Sequence, residues 1–210
     1  MFDINSFLRD LSIAIVPFLL AVTVHEASHG YAAYLLGDDT AKRAGRLTLN
    51  PFVHIDILGL LFLLITRLFG WAKPVPVNFS VVARKKYGVA LVAAAGPAAN
   101  FLVAVLSALL YHIVSSINTN NPLILKVLFP ITMMLIFSVQ INIALGIFNL
   151  IPVLPLDGGR ILQSFLPLNK QIKFAQFERY GFIIILLLII TRVVDYIVFP
   201  IIHFLIRLLI

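Results

Sequence analysis

Four stretches of this sequence are long and apolar enough to enter a lipid bilayer, and nothing else in the chain restricts its fold so far. A helix rises 1.5 Å per residue, so about 20 apolar residues cross a hydrocarbon core about 30 Å thick. Leu11–Leu36, Val89–Ile117 and Leu125–Leu150 meet that length. A fourth stretch runs from Tyr180 to Val194 and is expected to end at Asp195, with Tyr196–Ile210 as a second apolar piece interrupted by Pro200. Composition agrees, since 61% of the 210 residues are hydrophobic and 12% are charged. Soluble domains average about 45–50% and about 25% respectively. A soluble domain, a disordered chain and a collagen-like chain are excluded. The expectation is an all-α polytopic membrane protein, residues 1–210 forming one membrane-embedded domain of four to six hydrophobic helices. No removable signal peptide is expected, because no basic segment or small-residue cleavage site precedes the first apolar run.

Charge sets the expected orientation. There are 16 Lys and Arg against 9 Asp and Glu, a net charge of +7. In a membrane protein this excess belongs to cytoplasmic loops rather than to a nucleic-acid patch. Arg84-Lys85-Lys86, the longest basic run, reads as an anchor to lipid headgroups. The apolar stretch Ile55–Gly70 is short and contains Asp56 and Arg67. Lys42, Arg43 and Arg46 precede it, and Lys73 and Arg84–Lys86 follow it. Both flanks stay on one side only if this stretch is re-entrant or interfacial. The Ser116–Asn121 loop has no charge and fits the opposite face. The expected setting is therefore a cell membrane crossed several times, with the N-terminus outside. Asp38–Asn50, of mixed polarity with Gly45 as a turn, reads as a short hairpin or edge strand suited to pairing with an unwound substrate.

The sharpest chemical signal is His25-Glu26-Ala27-Ser28-His29, inside the first apolar stretch. Residues four apart on a helix share a face, so two imidazoles so placed can bind one zinc ion, with Glu26 beside them as general base. Each ionisable residue at mid-membrane costs on the order of 2.5–3.5 kcal/mol. Three within one turn call for a compensating partner, and a divalent cation is one. Interhelical hydrogen bonding of the two histidines is the blander possibility.

Catalytic zinc takes three protein ligands and keeps a fourth position open. The chain has no cysteine. His54, Asp56, His112, Asp157, Glu178, Asp195 and His203 are thus the candidates for the third ligand. Asp157 stands out because Pro152, Pro155, Gly158 and Gly159 surround it, and irregular backbone at membrane depth persists only where it lines a cavity or is buried in protein. His29 lies about 12 Å below the cytoplasmic end of its helix at 1.5 Å per residue. Asp157 follows a helix travelling to that same face.

His25-Glu26-x-x-His29 and Leu156-Asp157-Gly158, with Asn149 and Pro152 upstream, resemble the site-2 protease family of intramembrane zinc metalloproteases. Asn50-Pro51-x-x-His54-x-Asp56, Gly70-Trp71-Ala72-Lys73-Pro74-Val75-Pro76-Val77-Asn78 and Gly96-Pro97-x-x-Asn100 are similar to its compact bacterial branch, which lacks PDZ and CBS domains. The resemblance implies a membrane endopeptidase with zinc on His25, His29 and Asp157, Glu26 as acid and base, and transmembrane proteins as substrates. Water must reach such a site, so with this topology an opening toward the cytoplasm is expected, and the resemblance gives Asn149 a role in orienting the substrate.

Other polar residues stay open between two roles. His54 and Asp56 could support the metal ligands, form an alternative ligand set or plug the site, or form an interfacial turn. Asn100 and Asn142 could hold substrate or join helices; Gly96-x-x-x-Asn100 favours the second for Asn100. The rival function is a metal- or proton-coupled transporter, because intramembrane His, Asp and Asn also mark ion paths.

Overall fold

A computed structural model describes residues 4–59, 61 and 72–210 of the chain. Helix α1 covers Ile4–Leu35, helix α4 Gly88–Ser115 and helix α5 Pro122–Asn149. Leu11–Leu35 within α1 and all of α4 and α5 are long and apolar enough to cross a membrane. The three pack against one another.

Their surfaces are sorted by size. On α4 most of the buried residues are small, among them Ala90, Ala93, Gly96, Ala104, Ser107 and Ala108. Large residues of the same helix face outward, with Leu102 61% and Ile113 61% exposed. Lipid is as apolar as leucine, so helices in it associate through close backbone approach rather than by hiding large side chains. The outward Leu and Ile of α4 and the small residues at its contacts follow that rule, and they account for an apolar exterior that water would not tolerate.

Helix α1 stops at a backbone motif. Gly37 takes φ +97, the Asp38 N–H donates to Ala33 O, and the Gly37 N–H donates to Tyr34 O. Helix α2, Thr40–Arg43, ends in the same way at Gly45, φ +67, where the Arg46 N–H reaches Ala41 O and the Gly45 N–H reaches Lys42 O. Two such glycine-terminated ends in succession leave no extended run, which corrects the expected hairpin at Asp38–Asn50. Asp38 starts the turn, its Oδ1 accepting from the Thr40 N–H at 3.0 Å and the Thr40 hydroxyl at 2.5 Å. Among the described residues the β-structure is a single antiparallel bridge, Ile55 to Ala72. Most of the expected re-entrant stretch Ile55–Gly70 lies outside the described residues.

Helix α3 covers Phe79–Val82. After α5, residues 150–156 turn without regular structure into helix α6, Asp157–Phe165, followed by α7, Leu168–Gln176. The last apolar region divides earlier than expected. Helix α8 is Gly181–Ile190, and helix α9 runs Val193–Leu209 at 79° to the segment before it. The break is at Thr191-Arg192, where Arg192 adopts φ 58; Asp195 sits in the first turn of α9, where a carboxylate suits the helix dipole. Pro200 lies inside α9, not at an end. Helix α9 packs on α5, and Val194, Val198 and Ile202 close an apolar cluster with Ala104, Ala108, Val139 and Ile143.

Candidate metal centre

His25 and His29 project from one face of α1 toward α4, their rings edge to face with centroids 4.7 Å apart. One stripe of α4 receives both. Val92, Gly96 and Asn100 recur every four residues, so they line up along that helix. His29 Nδ1 is 2.7 Å from Val92 O, and His25 Nδ1 is 2.6 Å from Asn100 Oδ1. Between those two acceptors sits Gly96, where an added Cβ would run into His29 Nε2 and lie 2.8 Å from His25 Cε1. The absent side chain is what lets both rings approach α4 so closely.

A backbone carbonyl only accepts, so His29 donates from Nδ1, and the neutral ring then carries its lone pair at Nε2. Asp157 stands against these nitrogens. Its Oδ2 is 3.2 Å from His25 Nε2 and 3.3 Å from His29 Nε2. That oxygen is buried and has no hydrogen-bond partner among the described residues. One ligand atom from each of His25, His29 and Asp157 lies within 4.8 Å of the others, so the three could hold a metal ion. Two arms of about 2.0–2.1 Å meeting at a tetrahedral angle end about 3.3 Å apart. The two histidine–aspartate separations match that edge, and a donor set of two imidazoles and a carboxylate suits zinc.

The local backbone explains how Asp157 arrives there. It is the first residue of α6, and α6 packs on α4. At the next residue, Gly158, a Cβ would run into Leu150 O and lie 2.6 Å from Ile151 O. The turn of residues 150–156 can thus wrap tightly around the start of α6 and bring its carboxylate under α1.

Glu26 faces a cavity of about 280 Å³ whose wall also includes His25, His54, Asp56, Asn149 and Leu156. Its Oε2 accepts the Val75 N–H at 2.9 Å. Val75 lies between Pro74 and Pro76, neither of which has an N–H, so it is the one donor in that triplet. The surrounding segment is strapped down at several points. The Lys73 N–H donates to His54 O at 2.9 Å, Arg46 Nη2 donates to Lys73 O at 2.5 Å, and the Asn78 N–H donates to Asp38 Oδ2 at 2.6 Å. Burial raises the Asp38 carboxyl, but the Thr40 hydroxyl and the backbone N–H groups of Asn78 and Thr40 outweigh it and hold Asp38 below the usual carboxylate range.

The remaining sequence candidates fall into place as follows. His54 is fully buried, with Nε2 3.0 Å from Thr48 O and Nδ1 without a partner among the described residues, so it is no solvated interfacial residue. Asp56 Oδ1 accepts the Gly59 N–H at 2.9 Å, the bond of a turn. Asn149 donates to Leu145 O of its own helix at 3.0 Å. Glu178 pairs with Arg160 at 2.8 Å, and His112 Nε2 lies 2.8 Å from Leu209 O. Val92 has no part in the sequence argument, and Gly96, Val75 and Arg46 enter it only as a helix-packing position, a motif member and a loop charge. The Pro-Val-Pro spacing, which leaves one N–H among three residues, is the signal that could have drawn attention to Val75.

The model of peptidase family M50 matches residues 125–191, which include Asn149 and Asp157. The chain is 36% identical over 199 residues to "Putative zinc metalloprotease YwhC" of Bacillus subtilis, covering 90% of this chain and 85% of that protein. It is 27% identical over 189 residues to "Putative zinc metalloprotease Rip2" of Mycolicibacterium smegmatis, covering 85% of this chain and 67% of that protein. No solved structure matches.

Proposed function

Because the chain belongs to peptidase family M50, and is thereby a zinc metalloprotease, we propose that it cleaves peptide bonds in or near the transmembrane segments of membrane proteins. His25, His29 and Asp157 hold the zinc and Glu26 is the acid and base. The observation that carries this is the meeting of two imidazole Nε2 atoms with a buried carboxylate oxygen that has no hydrogen-bond partner among the described residues, beside the cavity that Glu26 lines. Zinc at such a centre supplies Lewis acidity, acidifying water and polarising a carbonyl oxygen.

The chain's own groups do the rest. The Val75 N–H holds one oxygen of Glu26, so the other is left to take a proton from the attacking water. Glu26 then delivers that proton to the leaving amine. The cavity admits both water and an unwound stretch of substrate, and Asn149 on its wall orients the substrate backbone. The site opens toward the cytoplasm, and the protein is a multi-pass component of the cell membrane. Family membership does not favour a metal- or proton-coupled transporter.

Purified wild type, Glu26→Gln and Asp157→Ala, compared for zinc content and for cleavage of a helical membrane substrate, test this. Glu26→Gln is expected to retain zinc and lose cleavage, a fall of at least about 100-fold. Asp157→Ala is expected to lose both. Undiminished proteolysis by Glu26→Gln removes the base assignment.

A further inference from the structure

Behind His25 a hydrogen-bonded line of side chains crosses all three long helices. Its direction follows from the groups at its far end. Asn142 Nδ2 donates to Ser138 O at 2.9 Å, and that carbonyl can only accept. The Asn142 amide is therefore turned with Oδ1 toward Asn100. Asn100 Nδ2 donates one hydrogen to Asn142 Oδ1 at 2.8 Å and the other to Ala21 O of α1 at 3.1 Å. Both amide donors of Asn100 are spent, and its Oδ1 is left facing His25 Nδ1 at 2.6 Å. A flipped Asn100 would set its oxygen against two acceptors, Ala21 O and Asn142 Oδ1. Asn100 and Asn142 are fully buried, and the Ser138 hydroxyl continues the line to the Ser107 hydroxyl at 2.8 Å.

We infer that Asn100, aligned by Asn142, is a positioning residue that fixes the His25 proton on Nδ1 and so sets how tightly the centre holds its metal. The inference rests on the metal assignment above and goes beyond it. The two histidines differ in this respect. His29 is oriented by a backbone carbonyl, which every substitution on α4 preserves, whereas His25 depends on a side chain whose own orientation is set on α5. Metal affinity is thereby tied to the register of α4 against α5. Without the relay the His25 ring is free to carry its proton on Nε2, which closes that nitrogen to a cation.

The test is zinc affinity by chelator competition in detergent, with the ring-nitrogen NMR shifts of His25 in zinc-free protein. Wild type is expected to show the Nδ1–H form. Asn100→Leu is expected to bind zinc about 10–100-fold more weakly and to mix the two ring forms. Asn100→Asp, which keeps an acceptor against Nδ1, is expected to retain more zinc than Asn100→Leu. Asn142→Leu is expected to weaken binding less, and to add nothing in an Asn100→Leu background. Val139→Ala, a cavity in the same α4–α5 core but off the relay, is expected to lower thermal stability with zinc affinity unchanged. Should Asn100→Leu not fold, Asn142→Leu and the wild-type ring shifts still decide the matter. Wild-type affinity in the Asn100 and Asn142 variants, or an Nε2–H form of His25 in wild type, overturns the relay and leaves the metal assignment standing. Wild type that binds no zinc at all overturns the metal assignment itself.

Discussion

Gly96 shows how one missing side chain can serve two ligands. It lies between Val92 and Asn100 on the stripe that anchors both imidazoles, and any Cβ there meets the rings. Ala is the better helix former by roughly 0.5–1 kcal/mol, so propensity alone predicts that Gly96→Ala stabilises α4. The contact with His25 and His29 reverses that sign. Gly96→Ala is expected to lose most of its zinc in elemental analysis while its far-ultraviolet circular dichroism stays helical. The contrast between residues that were legible and those that were not is plain here. His25, Glu26 and His29 announce themselves because helix geometry relates residues four apart without any tertiary information. Val92 takes part through its carbonyl, which leaves no mark in a residue pattern, and Gly96 is legible there as a helix-packing position but not as the space two imidazoles need.

At the scale of elements, the segment from Ala72 to Asn78 is placed by partners far from it in sequence: Asp38, Arg46, His54 and Glu26. Asp38 fastens its far end, and its depressed pKa carries a sign. A carboxylate held low contributes stability above the unfolded value of about 3.9, and that contribution is lost as pH falls through the lower folded value. Hydrogen exchange at the Asn78 amide is thus expected to quicken, relative to the intrinsic rate, on acidification below about pH 4. In Asp38→Asn the same amide is expected to exchange quickly at neutral pH, with no such step. The expected hairpin failed in this same region for a local reason. The mixed polarity of Asp38–Asn50 satisfied a strand template, but glycines at 37 and 45 each took a positive φ and ended a helix instead. The bend at Arg192 was equally hidden, since a non-glycine residue at φ 58 is a choice made by packing.

For the whole molecule, the sorting of small residues inward and large residues outward predicts an asymmetry in mutation. Ala104→Leu, in the cluster shared by α4, α5 and α9, is expected to cost about 1–3 kcal/mol by overpacking, whereas Leu109→Ala on the outer surface is expected to be close to neutral. Unfolding in detergent measures both. Orientation can be read in a chain that has no cysteine of its own. Single cysteines at Lys85 and Asn118, at opposite ends of α4, are expected to label from the cytoplasmic and the external side respectively. Three apolar stretches long enough to span, the spacing of two histidines and a glutamate on one helix, and the irregular backbone that singled out Asp157 were all legible in the sequence, because hydrophobic length, helical spacing and turn residues are local properties, whereas the break that divides the last apolar region was not. Only the tertiary structure decided that Asp157 and the histidine pair meet, 128 residues after His29. It also decided that Asn100 and Val92 orient the rings, and that Val75 holds Glu26. Each of these depends on how α1, α4 and α6 lie against one another, and that is settled by the packing of many side chains at once, which no single stretch of sequence contains.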